Sequence, residues 1–343
     1  MHKLRDFWKK ASSSGLTWSM VALLALMAFN LFAGPGFFKL EIKDGHLYGS
    51  LIDILRNGAP LMVLAVGMTL VIATGGTDLS VGPVIAITAA VATSLIGKDI
   101  GVTHTPLALV ILAAMVVGAF CGLWNGFLIS RIGIQPIVAT LILYVAGRGI
   151  AQMITDGKIV RTFYDPYYFF GGGYLIIPFS LFIVAGVYFL AWMFTRRTAF
   201  GMFLESIGIN PNASRFSGLN EKNIKLIAYT ISGLCAGIAG IIISSNLRSA
   251  DGNNAGLWYE LDAILSVALG GTALAGGRFS LVGSILGALI IQTLTTTIYS
   301  VGIPPQAVMA VKAVVVLMVS LLQSANFRQM LSTKLTLRKG SPQ

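Results

Sequence analysis

Charge is what this sequence has least of. Of its 343 residues only 11% are Asp, Glu, Lys or Arg, while 55% are hydrophobic. That is roughly half the charge density of an ordinary soluble domain. Whole stretches carry no charge at all: Ala11 to Phe38, Asn57 to Thr77, Ile100 to Ser130, Pro166 to Thr195, Leu226 to Leu247 and Phe279 to Val311. No water-soluble interior absorbs so much apolar surface, so the pattern specifies an all-α polytopic membrane protein.

Other scarcities exclude functions. The two cysteines, Cys121 and Cys235, lie in apolar runs beside glycines, where a thiol acts as a small hydrophobe; neither a disulfide framework nor a metal site is expected. The three histidines, His2, His46 and His104, are far apart, and no H-E-x-x-H or nucleophile elbow occurs, which argues against a membrane hydrolase. There is no G-x-x-x-x-G-K-[ST] loop, and the glycine cluster Gly270 to Gly277 contains no lysine, so the chain does not hydrolyse nucleotide by itself. The net charge of +11 does not indicate nucleic acid, because the basic residues sit between apolar spans instead of forming one stripe with interleaved aromatics.

The apolar runs predict about ten crossings at about 20 residues each. The first starts near Trp18 and ends Asn30-Leu-Phe-Ala-Gly-Pro35 without an A-x-A-like cleavage site, which predicts a retained helix. The others are Ile54 to Ala73, Val81 to Ile96, Leu107 to Ile129, Ile134 to Ile154, Ile176 to Thr195, Ile224 to Ser245, Trp258 to Leu269, Leu281 to Tyr299 and Ala307 to Leu322. Val81 to Ile96 and Trp258 to Leu269 are short and bordered by glycines, as broken helices in transporters are; two tilted helices divided wrongly would look the same.

With the N-terminus in the cytoplasm, an even count puts the C-terminus there too. The inner segments then hold Lys3, Arg5, Lys9, Lys10, Arg131, Arg196, Arg197, Arg215, Lys222, Lys225, Arg278, Arg328, Lys334, Arg338 and Lys339. The outer ones hold only Lys39, Lys43, Lys98, Lys158, Arg161 and Arg248, roughly balanced by acids, as the positive-inside rule requires. Gly75-Gly-Thr-Asp78-Leu79 and Gly270-Gly-Thr-Ala-Leu274 echo one another, either as repeat-related unwound points or by chance among 39 glycines.

Polar residues recur at helical spacing inside the spans. Gln292, Thr295, Thr296 and Tyr299 share one face, as do Thr140, Tyr144, Arg148 and Gln152. Such faces point either to a water-filled path or to a hydrogen-bonded neighbouring helix. Lys312, seven residues past Pro305, is read as snorkelling to the outer interface. The run Asp251 to Asp262 contains Asn253, Asn254, Trp258 and Glu260. Its amides, carboxylates and rings suit a sugar, but they equally turn the chain and mark the interface, and composition favours the latter.

The long inner loop, 196–225, carries short apolar helical pieces split at Asn210-Pro211, suited to docking in a partner's groove. Its Glu205-x-x-Gly208-x-Asn210-x-x-Ala213-x-x-x-x-Gly218 pattern resembles the cytoplasmic coupling segment of permease subunits of bacterial ABC importers for monosaccharides, the group that includes ribose-type permeases. Gly67 to Gly82 and Glu260 to Gly277 also match, so the resemblance spans nearly the whole chain. The run Asn253 to Trp258 looks most like permeases for galactofuranose and related furanoses, and Thr77 stands where Ile is expected.

The resemblance implies a single transmembrane permease domain over 1–343, with a cytoplasmic N-terminal segment (1–17), the coupling loop and a cytoplasmic tail (324–343), in the bacterial inner membrane. It implies a second permease copy or close relative, two ATPase subunits that bind ATP and Mg, and a periplasmic sugar-binding protein; the chain itself holds no cofactor. Ribose, xylose, galactose and other pentoses or hexoses remain open as substrates. Glu205, Gly208, Asn210, Ala213 and Gly218 are the coupling candidates. The candidates for the path or substrate are Asp78, Asn125, Gln135, Thr140, Tyr144, Arg148, Asn253, Asn254, Trp258, Glu260, Asp262 and Gln292. The residues alone also allow an ion-coupled secondary transporter working through Asp78, Glu260 or Asp262.

Overall fold

A bilayer offers no water to backbone N–H and C=O groups, so a chain this apolar has to satisfy them within helices. The computed structural model describes residues 15–33, 36–43, 45–103 and 105–323. The basic residues expected at the two ends (Lys3, Arg5, Lys9, Lys10; Arg328, Lys334, Arg338, Lys339), together with His2 and His104, lie outside the described residues.

The helices are α1 (Gly15–Ala33), α2 (Ser50–Ala73), α3 (Val81–Ile96), α4 (Leu107–Phe127), α5 (Pro136–Ile154), α6 (Asp165–Gly172), α7 (Phe179–Arg196), α8 (Phe200–Ile209), α9 (Pro211–Phe216), α10 (Glu221–Leu247), α11 (Tyr259–Leu269), α12 (Leu281–Ser300) and α13 (Pro305–Gln323). A π turn, Leu128–Ile132, extends α4 and stops at Gly133, whose φ of 87° only glycine adopts readily. Two short antiparallel ribbons lie in the connections: β1 (Glu41–Lys43) with β2 (His46–Tyr48), and β3 (Val160–Arg161) with β4 (Ser249–Ala250).

Every apolar run singled out in the sequence falls on a helix. Among the described residues six helices are long and apolar enough to cross a membrane: α2, α4 with its π turn, α5, α7, α10 and α12. α3 and α11 are separate helices of 16 and 11 residues. At 1.5 Å per residue, 11 residues cover about 16 Å, half of a hydrocarbon core.

α2 is hydrophobic around its whole circumference and is correspondingly buried along almost its full length, from Gly58 to Ala73 without interruption. α10 packs against α2, α3, α4 and α6. α4, α5 and α7 instead turn large apolar side chains outward, among them Leu112, Phe120, Ile142, Val145, Phe189 and Leu190. Outward leucine and phenylalanine suit lipid as solvent.

The contact of α4 with α10 depends on missing side chains. A Cβ on Gly122 would lie 3.0 Å from the Cα of Gly233, and one on Gly233 would lie 2.7 Å from the Cα of Gly122. Both helices carry glycine pairs four residues apart, Gly118 with Gly122 and Gly233 with Gly237, which stack on one face of each. Gly67 brings α2 against the same helix, where a Cβ would meet that of Cys235 at 3.0 Å. The buried Cys121 and Cys235 act as small hydrophobes in these crossings.

Gly122→Leu therefore forces α4 and α10 apart. Overpacking in a tight core costs about 1–3 kcal/mol, so the detergent-purified variant is expected to melt lower than the parent; an equal melting temperature would show that the crossing tolerates a side chain.

Candidate functional site

The α12 stripe opens onto a cavity of about 570 Å³. Gln292, Thr295, Thr296 and Tyr299 form one wall, Asp53, Arg56, Asn57 and Pro60 of α2 the second, Ile242, Ile243, Asn246 and Leu247 of α10 the third, and Tyr259 at the start of α11 closes it. Gln292 leans over Gly58, where a Cβ would lie 3.2 Å from its Cγ. Thr293 and Thr297 face the other way: Asn30 of α1 donates from Nδ2 to Thr297 Oγ1 at 2.7 Å. α12 thus uses one polar face for the cavity and another to bind a neighbouring helix.

Of the sequence candidates, Gln292 alone lines this cavity. The charge at its rim is a pair, with Arg56 Nη2 3.2 Å from Asp53 Oδ1. Three amides (Asn57, Asn246, Gln292), two tyrosines and two threonines complete its polar groups. A small space with so many convergent polar groups beside an apolar patch of Pro60, Ile242, Ile243 and Leu247 suits a polar solute of monosaccharide size.

The α5 stripe does something else. Arg148 Nη1 donates to the carbonyls of Asn253 (3.1 Å) and Ala255, and Gln152 Nε2 donates to Asn253 Oδ1 at 3.3 Å. Thr140 is buried and donates to the Pro136 carbonyl of its own helix at 2.9 Å. Tyr144 and Arg148 lie within electrostatic reach of Glu260. That residue is buried over Gly82, in the space a side chain there would fill, and its Oε2 has no hydrogen-bond partner among the described residues.

The segment held by Arg148 is also tied internally. Asp251 accepts from the backbone N–H of Asn253 (2.8 Å) and Asn254 (3.2 Å) and from Asn254 Nδ2 (2.7 Å). Burial pushes its pKa up, but these bonds, led by that from the Asn254 side chain, and the Arg148 charge outweigh burial and hold it below the usual value. Trp258, with a left-handed φ of 67°, turns the chain into α11 and stays half exposed.

Asp78 and Asn125 belong to a buried network. Ser80 donates to Asp78 Oδ1 through its hydroxyl (2.6 Å) and its backbone N–H (3.1 Å), Ser232 donates to Oδ2 (2.9 Å), and Asn125 Nδ2 donates to Ser80 Oγ (2.7 Å). The network joins the start of α3 to α4 and α10. Gln135 lines a different cleft, of about 440 Å³, beside Arg131, Glu221, Lys222 and Lys225.

Lys312 corrects a sequence expectation. Instead of snorkelling it reaches inward to Asp262, 2.9 Å from Oδ2 and 3.2 Å from Oδ1. The side chains are only 17% and 18% exposed. The ion pair therefore joins α13 to α11, and it satisfies two charges that would otherwise be costly at this depth.

The loop segment forms the amphipathic helix α8, with Leu204 and Ile207 buried, and the short α9. Asn210 Oδ1 accepts the N–H of Ala213 at 3.0 Å, so it caps α9 with Pro211 in the first turn. Ala213 is exposed, Glu205 is partly exposed, and Gly218 ends the segment at φ 84°. Met202, Ile209 and Phe216 are left exposed, Phe216 at 93%.

Gly208 fits tightly against its neighbours. A Cβ on it would strike the Ala73 carbonyl at the end of α2 and lie 3.0 Å from Gly277 Cα. Gly277 N–H in turn bonds that same Ala73 carbonyl at 3.0 Å, and a Cβ on Gly276 would be 2.8 Å from Gly75 N. The two echoing glycine turns, after α2 and after α11, are thus in contact with each other and with α8.

A family model described as "Branched-chain amino acid transport system / permease component" matches residues 50–320. The chain belongs to this permease family. It is 50% identical over 310 residues to the galactofuranose transporter permease protein YtfT of Escherichia coli, covering 90% of this chain and 89% of the relative. It is 39% identical to the fructose import permease protein FruF of Bifidobacterium longum, covering 93% and 90%, and 37% identical to the ribose import permease protein RbsC of Escherichia coli, covering 89% and 92%. No solved structure matches the permease.

Asp262→Ala leaves Lys312 charged and unpaired in the permease. Breaking a buried pair costs about 3–5 kcal/mol, so the single variant should melt well below the parent, whereas Asp262→Leu with Lys312→Met should recover most of the loss. Equal melting of single and double variants would show that the pair carries no coupling.

Proposed function

We propose that this chain is the membrane-spanning subunit of an ATP-binding-cassette importer and forms the path for a monosaccharide, galactofuranose or a related furanose. A polar cavity of monosaccharide size inside an apolar bundle, in a chain half identical to a galactofuranose permease, carries the reading. In this reading α1 to α5, α7 and α10 to α13 supply ten spans in the bacterial inner membrane, with both termini in the cytoplasm. A second copy or a close relative completes the path, a periplasmic binding protein delivers the sugar, and two partner ATPases bind ATP and Mg.

α8 and α9 then form the docking face for the ATPase, with Glu205, Gly208, Asn210, Ala213 and Gly218 shaping it and Met202, Ile209 and Phe216 as apolar contacts. Closure of the ATPases pushes on α8. Gly208 lies against the end of α2 and the turn between α11 and α12, and α2, α11 and α12 all line the cavity. One displacement at Gly208 therefore reaches two walls of the path and the Tyr259 end that closes it. The clamp of Arg148 on Asn253 and Ala255 positions Asn254 and Trp258 for handing over the sugar. Ion coupling is less well supported at two of its three candidate carboxylates, because Asp78 is hydrogen-bonded through both oxygens and Asp262 is paired with Lys312; Glu260, with one oxygen unpartnered among the described residues, is the site such coupling would need.

Uptake of a labelled panel of furanose and pyranose sugars into proteoliposomes, with the cognate ATPase and binding protein, tests the proposal. ATP-dependent uptake confined to a furanose is expected. Accumulation without ATP that a protonophore abolishes would contradict it and favour ion coupling. In the same system Glu205→Arg should abolish uptake while the cavity residues stay native; unchanged uptake and ATPase association would remove Glu205 from the docking face.

A further inference from the structure

The cavity has one acid and one base in its lining, and they neutralise each other. Asp53 and Arg56 stand one turn apart at the start of α2, with Asp53 Oδ1 and Arg56 Nη2 3.2 Å apart. The guanidinium is fixed from its other side as well: Nη1 donates to the Tyr174 hydroxyl at 3.2 Å, and the group lies 6.0 Å from the centre of that ring. Tyr174 in turn packs on Tyr48 at 5.2 Å. The arginine is therefore held by an aromatic cluster next to the cavity and paired through Nη2 with Asp53, while its buried Nε has no partner among the described residues.

The two members are not equally open. The Asp53 side chain is 46% exposed and that of Arg56 24%. A solute entering at this end meets the carboxylate more directly than the guanidinium. A neutral polyol can donate to the carboxylate and accept from the guanidinium without electrostatic cost. A sugar acid or sugar phosphate finds the only positive group of the lining occupied and a carboxylate in its way. At a few ångströms, in a medium less polar than water, like charges repel.

We infer that the Asp53–Arg56 pair is a charge filter that admits neutral sugars and rejects anionic ones. This rests on the reading of the cavity as the sugar path, and it assigns the filter to Asp53, with Arg56 as the group that keeps the cavity neutral.

The field can be read with charged thiol reagents on the assembled importer carrying Asn57→Cys in the same wall, the native cysteines being buried. The ratio of modification rates by an anionic and a cationic methanethiosulfonate is measured with and without Asp53→Asn, and galacturonate is tested as an inhibitor of neutral-sugar uptake in both backgrounds. Asp53→Asn, which preserves shape, should raise the anionic-to-cationic ratio about tenfold and make galacturonate inhibitory, whereas the parent is not inhibited. If ratio and inhibition stay as in the parent while Gln292→Ala lowers uptake, the cavity is the path and the filter assignment is wrong. A raised ratio without inhibition also overturns the filter. If neither modification at Asn57→Cys nor Gln292→Ala changes uptake, the path reading itself fails.

Discussion

Lipid tails are as apolar as leucine, so helices in a bilayer gain little by hiding apolar side chains from one another, and association has to come from close packing and hydrogen bonds. Here that closeness is bought with glycine. Gly118 and Gly122 of α4 meet Gly233 and Gly237 of α10 backbone to backbone, and Gly67 brings α2 onto the same helix. With α10 fixed in this way, its Ile242 to Leu247 end becomes a wall of the cavity and its Ser232 reaches Asp78. The same device recurs at the end of α2: Gly75, Gly208, Gly276 and Gly277 let three backbone segments come into close contact.

Most ionisable groups inside the bundle are given a partner. Asp262 has Lys312, Asp53 has Arg56, and Asp78 has two serines. Arg148 donates through Nη1 to two carbonyls of a loop, and its Nη2 has no partner among the described residues. The result is an interior rich in polar groups with little free charge, which fits passage of a neutral, hydroxyl-bearing solute better than storage of an ion. Glu260, buried and lacking a hydrogen bond on one oxygen, is the point where the interior is least settled.

Much of this was legible in the sequence. The positions of the spans followed from charge-free runs, and the α12 stripe followed from residue spacing, with its cavity-facing and helix-binding faces separated only once the neighbours were visible. Asn210-Pro211 marked the start of α9 because a side-chain cap and a proline both suit a first helical turn. The glycine pairs in α4 and α10 were also readable as a small-x-x-x-small pattern, and they went unread among so many glycines. Asp53, Arg56 and Asn57 were missed for another reason: they sit at a helix start where charge is ordinary, and only the approach of α10 and α12 makes them cavity walls. Lys312 was misread because snorkelling is a property of one helix, whereas its ion pair depends on where α11 lies. The contact of the two glycine echoes with Gly208 joins segments about 60 to 200 positions apart, beyond the reach of local pattern.

In the proposed importer, α8 levers the cavity through backbone contact at Gly208. The most direct measurement is the labelling rate of Gln292→Cys by a water-soluble maleimide in the assembled importer, nucleotide-free and then trapped with ATP and vanadate. The account predicts a rate that differs between the two states in the parent and loses that difference when Gly208→Val is added, with the ATPase still bound. An equal rate in both states of the parent, or a difference that survives Gly208→Val, would contradict it.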